Sequence, residues 1–250
     1  MKWKTLRWWL FGTLAYFIFL LTLLPAPYLA GWLAKRAPGV QLDGVTGSVF
    51  SGSAADLRYQ GALLGAVEWQ FDWRALLSLS YGYRLALHSQ DANLSGRVDA
   101  RGGSLYLRDL QGRLPVSVMD RWLPVPSHSL QGSLELHLKD LSFRAGRLAS
   151  ADGEVDLNDG VLSWPRAFTL GSYRMTLSPA QDGGIQAQVG DVASPFKLHA
   201  ALSFSAQGAY HLVGALSPRD PGDADTRSFL AGLGTPDSTG QYPFDFKGQW

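Results

Sequence analysis

The sequence predicts a mainly β protein, an antiparallel sheet with a few short helices, set behind one N-terminal transmembrane helix. Three observations predict it. Apolar and polar residues alternate with period two over much of the chain, as in strands with one buried face. Glycine-led phrases and turn signals separate these runs. A long uncharged stretch lies near the N-terminus between two basic clusters.

The chain has 250 residues, of which 46% are hydrophobic and 17% charged, enough to bury a substantial core. Lys2, Lys4 and Arg7 precede an uncharged run from Trp8 to Ala34, and Lys35 and Arg36 close it. A helix needs roughly 20 such residues to cross a bilayer. Trp8, Trp9, Leu10, Phe17 and Leu24 mark this anchor, with tryptophans at one end and Tyr28 and Trp32 at the other as interfacial belts. The alternative is a cleaved signal peptide, but Pro25-Ala26-Pro27-Tyr28-Leu29-Ala30 offers no clear small-residue cleavage site. Basic residues ahead of the span hold that end in the cytoplasm and place the following domain outside it. That domain carries 17 Lys and Arg against all 21 Asp and Glu, which argues against nucleic acid as a partner.

The predicted division is a stub, span and interfacial segment over 1–37 and a β domain over 38–250. Val67, Trp69, Phe71 and Trp73 fall on one side of an extended chain, with Glu68, Gln70 and Asp72 on the other. Tyr83, Leu85 and Leu87 repeat the pattern, as do Leu134, Leu136 and Leu138, then Phe196, Leu198 and Ala200, then Tyr242, Phe244 and Phe246. One apolar face per strand means antiparallel pairing. Gly103, Gly132, Gly153 and Gly160 each open an alternating run, while Asn158-Asp159-Gly160 and Asp182-Gly183-Gly184 signal turns. Their irregular spacing predicts a meander of hairpins rather than a solenoid. Trp69 and Trp164 are expected in the core.

Helical signals are few. Short helices are predicted at 73–78 and 116–122, and a longer one at 225–233, with an Asp cap and Gly232 or Gly234 as the stop. Pro124-Val125-Pro126 marks a seam between two β subdomains or two halves of one sheet.

No catalytic pattern is present, and the chain is not expected to be an enzyme or to carry a cofactor or metal. Cysteine is absent, which removes thiolate chemistry and lipoprotein modification together. The five histidines are scattered without metal-ligand spacing, and four flank apolar strand positions as solvent-facing residues. Gly47-Ser-Val-Phe-Ser-Gly52 lacks the spacing of a nucleophile elbow and reads as a tight turn of small residues. Gly232-Leu-Gly-Thr-Pro-Asp237 lacks the third glycine of a dinucleotide loop. Asp152, Glu154 and Asp156 alternate as a solvated strand face.

Several phrases, in order along the chain, resemble those of the bacterial type II secretion protein N family. They are Gly44 to Ala54, Val67 to Trp73, His128 to Leu136, Gly153 to Trp164 with Ala167, Tyr210 to Arg219, Leu230 to Gly234, and Gly240 to Gly248. One departure is Phe50, where the family usually shows Trp. The resemblance implies a single-pass inner-membrane accessory component whose periplasmic domain assists export of folded proteins alongside other secretion components. The family is similar in turn to AsmA-like proteins, which implies an extended, curved sheet and, as a second expectation, lipid handling. For that second expectation Trp69, Phe71, Trp73 and Leu85 are the candidate apolar, lipid-facing surface, and phospholipid is the candidate ligand.

Overall fold

A computed structural model describes residue 39 onward except 60, 79, 120–129, 145–146, 164–166, 182, 206, 233 and 250, together with 9, 12, 25–28 and 31. Alternation does produce strands. The first half holds β1 (Val40–Asp43), β2 (Thr46–Gly47), β3 (Ser51–Tyr59), β4 (Ala62–Asp72), β5 (Tyr81–His88), β6 (Asn93–Arg101) and β7 (Ser104–Pro115). The second holds β8 (Leu130–Arg144), β9 (Arg147–Leu162), β10 (Phe168–Pro179), β11 (Ile185–Ala193), β12 (Phe196–Phe204), β13 (Ala209–Pro218) and β14 (Tyr242–Gln249).

All of them join one 14-stranded antiparallel sheet in chain order from β1 through β3 to β14, with β2 paired beside β3. This is the expected meander, and it is open: β1 and β14 stand at opposite ends of the strand order. Directly paired residues share a face in an antiparallel ladder. The pairs Val67–Leu87, Trp69–Leu85 and Phe71–Tyr83 therefore put the predicted aliphatic and aromatic side chains of β4 and β5 together. Leu134–Leu157 and Leu136–Val155 continue the same apolar face across β8 and β9.

Two turn signals met different fates. Gly183 takes φ +79° in the connection between β10 and β11, where the Ala180 amide donates to the Gly184 carbonyl oxygen at 2.9 Å. Asn158-Asp159-Gly160 is not a hairpin turn: β9 runs straight through it from Arg147 to Leu162. Asp159 adopts φ 52°, its amide donates to Ser172 Oγ, and the registers with both neighbouring strands slip here. A left-handed residue inside a ladder that gains one residue on its partner is a β-bulge, which bends the strand and increases its twist. Asp109, at φ 51°, does the same in β7.

Single 3-10 turns occupy Trp73–Ser78 and Val116–Met119, where short helices are expected. The one long enough to call α, α1, spans Ala224–Ala231 and ends at Gly232. Its cap is Asp223, two residues ahead of the predicted start, because the Asp223 carboxylate accepts from the Asp225 amide and the Thr226 hydroxyl. Those bonds hold its own carboxyl below the usual carboxylate range, the Thr226 hydroxyl first among them.

Among the described residues no helix is long and apolar enough to cross a membrane. The expected span over 8–34 falls almost wholly outside them, as do the Pro124-Val125-Pro126 seam and Trp164. On either side of that seam β7 and β8 pair along nearly their whole lengths, from Ser104–Arg144 to Pro115–Ser133.

Candidate functional site

The aromatic start of the sheet is built from the small-residue turn at 47–52. Gly47 takes φ +88°, and the Ser48 amide donates to the Ser51 carbonyl oxygen at 2.8 Å. Gly52 leaves room for Trp69: a Cβ there would stand 2.5 Å from the indole. The Trp69 Nε1 donates to the Ser48 carbonyl oxygen at 3.0 Å, which satisfies the one polar atom of a side chain 6% exposed. Ala26 and Ala54, both buried, pack on the same ring. Pro25 bridges to Ser48, so residues 25–28 lie against the base of the sheet.

Phe50 and Phe71 meet edge to face at 5.3 Å, and Phe50 stacks on Trp73 at 5.2 Å. Phe71 also meets Tyr83 edge to face, and burial pushes the Tyr83 hydroxyl up from its ordinary pKa. Two of the four residues expected on the apolar surface, Phe71 and Trp73, thus form one aromatic set with Phe50 and Tyr83, while the other two, Trp69 and Leu85, are a cross-strand pair beside it. Their burial differs. Trp69 and Phe71 are core residues, whereas Trp73 is 53% exposed and Leu85 37% exposed. Trp73 opens the 3-10 turn, which carries it out of the strand and onto Phe50 at the rim. Of the anchor residues only Trp9 is described; it is helical and exposed.

On the opposite face lies a groove of ≈ 1080 Å³ whose floor is Gln70, Arg84, Arg97 and Arg108 and whose wall is Trp73 with Phe50. Its floor residues form one row of cross-strand pairs: Gln70–Arg84, Arg84–Arg97 and Arg97–Arg108. Sequence patterning places each arginine on a polar face but not opposite one another, since register is a pairing property. The signal was present only as polar positions in three consecutive strands.

At the other end, Phe168, Phe196 and Phe229 of α1 stack with centroids 4.5 to 5.5 Å apart. Phe196 and Leu230 are almost fully buried there. Beside them Tyr173 Oη bonds Ser194 Oγ and donates to the Leu170 carbonyl oxygen. Burial dominates in raising the Tyr173 pKa, with Asp191 adding to it and the Ser194 bond and Arg219 opposing.

The histidines described in strands sit on the polar face, as expected. His88, His137 and His199 are exposed, and His211 Nε2 lies 2.9 Å from Asp245 Oδ1. Asp156 and Glu154 are taken up by Arg174, which grips Asp156 through Nε and Nη2 at 2.7 and 2.9 Å. Among the described residues no group of three or more His, Asp or Glu is disposed to hold a metal ion.

The family described as Type II secretion system (T2SS), protein N matches residues 38–245, which is nearly the whole sheet. The curated Type II secretion system protein N of Vibrio cholerae is 27% identical over 217 residues, 84% of this chain and 85% of that protein. The protein of the same name from Aeromonas hydrophila is 28% identical over 253 residues, 94% of each chain. That of Klebsiella pneumoniae is 24% identical over 239 residues, 94% of this chain and 92% of its own. No solved structure matches.

Proposed function

The chain belongs to the type II secretion system protein N family, and on that premise we propose that it acts in assembly or scaffolding of the secretion machine, as an accessory component. Residues 8–34 anchor it in the inner membrane, and the sheet stands in the periplasm beside the other components. The observation that carries this proposal is the family match across the sheet itself, from residue 38 to 245.

The architecture suits partner binding. An open sheet presents unpaired backbone groups at its ends, and an extended segment of another protein adds to such an edge as a further strand. β14 is the longer edge, and Phe246 on it is 59% exposed. Pro243 and Lys247 in the same strand restrain unselective pairing. Photocrosslinking in cells, from a reactive residue at Phe246 and another on β1, tests the proposal. Adducts with other secretion components support it. A deletion strain that secretes every substrate normally, together with no such adducts, sinks it.

A second role, lipid binding, draws on the half-open apolar face: Leu85 on β5 and Leu105 on β7, either side of β6, remain 37% and 40% exposed with no described second layer over them. Native mass spectrometry of the full chain in mild detergent reads this directly. Retained phospholipid favours it, and clean apo protein removes it.

A further inference from the structure

The polar face of β5 to β7 carries an arrangement that costs stability. Arg84, Arg97 and Arg108 are direct cross-strand partners on three neighbouring strands. Strands in a sheet lie about 4.8 Å apart, and like charges placed directly opposite are destabilising. Sheets ordinarily alternate signs at such positions, as this one does where Arg174 faces Asp156.

The compensation is partial. Arg97 reaches Asp109 at 3.4 Å, and Arg108 is shared between Asp99 and Asp140, each at 3.7 Å. Arg84 has no ion-pair partner among the described residues, nor do Arg74 and Arg101, which line the same groove. Asp72 and Asp99 are the acids in that lining, against five arginines. The groove therefore carries excess positive charge in a concavity, where the field is focused. Its volume, ≈ 1080 Å³, is at the upper end for small-molecule sites. Half-exposed Trp73, stacked on Phe50, supplies an apolar wall beside the charges.

From this geometry we propose that the groove between β4 and β7 binds a phosphate-bearing ligand, held by Arg84, Arg97 and Arg108. Guanidinium forks on adjacent strands match the several acceptor oxygens of a phosphate, each able to bond in bidentate fashion. The aromatic wall takes the organic part of the ligand. This inference is independent of the role in secretion, because it rests on charge and register alone.

The test uses the full chain in nonionic detergent at fixed ionic strength, so that general screening is held constant. Two probes are titrated by calorimetry, glycerol phosphate and the short-chain lipid dihexanoyl phosphatidylglycerol. Saturable binding of either probe that weakens roughly tenfold or more in Arg84→Gln, and in the Arg84→Gln/Arg97→Gln double variant, supports the proposal. Binding of both probes points to a soluble phosphate ester, and binding of the lipid alone to a headgroup. Arg174→Gln, at the far end of the same face, is expected to bind as the parent does. Without ligand, Arg84→Gln is expected to melt at the parent's temperature or above it, since it relieves repulsion. No saturable binding, or binding equal in Arg84→Gln and the parent, overturns the proposal. Binding of polyglutamate in place of either phosphate probe overturns it too, in favour of an acidic protein partner.

Discussion

At its β10–β13 end the sheet's apolar face is closed by a helix, while across β4 to β7 no described helix lies on that face and residues 25–28 reach only its Trp69 end. The 3-10 turn after β4 packs on the groove side, with Ala75 over Gly82. Under α1, Phe196 is 2% exposed and Leu230 fully buried. Around Trp69 the burial is good at the centre and fails within one strand, at Leu85. The two regions are equally apolar in sequence. What separates them is the presence of a second element to pack against, because a single sheet layer can bury a side chain only from its own side.

The sharpest test of that difference is truncation at each centre. Phe196→Ala is expected to destabilise the full chain by about 3–5 kcal/mol, since it opens a cavity among three stacked rings beneath a helix. Trp69→Ala is expected in the lower half of the same range, because the loose rim around it can collapse or admit water. Urea unfolding in nonionic detergent checks both. A Trp69→Ala cost above that of Phe196→Ala would break the comparison.

Between the two ends, register shifts and close backbone approaches mark β8 and β9. Gly153→Ala is expected to cost at least about 1–2 kcal/mol, because Gly153 holds φ +141° and an added Cβ would lie 2.4 Å from the His137 carbonyl oxygen. The same unfolding assay reads it. Leu105→Ala, on the open part of the apolar face, is expected to cost only about 1 kcal/mol, as a side chain already 40% exposed has less transfer energy to lose. A much larger loss would mean that this face is covered in solution.

The smallest expected effect is a pH dependence confined to the covered end. The Asp223 carboxyl titrates below its ordinary value when folded. Its contribution is therefore present above the unfolded pKa, about 3.9, and is lost as pH falls through the lower folded value. In Asp223→Asn this acid-side loss is expected to flatten, measured as thermal midpoint against pH from 6 down to 3. An unchanged slope would detach the cap from the stability of α1.

Much of this was legible in the residues. The runs at 67–73, 83–87, 134–138 and 196–200 alternate cleanly and became β4, β5, β8 and β12, because period-two burial is a local property of the chain. The turn at 47–52 and the helix ending at Gly232 were legible for the same reason: small residues and a stop glycine act within a few positions. Asn158-Asp159-Gly160 was misread as a hairpin because a turn and a bulge use the same left-handed chemistry, and only the neighbouring strands decide between them. The helix cap lay at Asp223 instead of Asp225 because several aspartates crowd that start, and the Thr226 hydroxyl selects one.

Thus the sequence alone determined that strands form, where most of them run, which side of each is apolar, and which family the chain resembles. Tertiary structure decided which strands carry cover, that Ala26 docks on Trp69, and that Arg84, Arg97 and Arg108 face one another. The reason is physical: side-chain direction follows from backbone geometry within a strand, whereas register and layering are set by contacts between residues far apart in the chain.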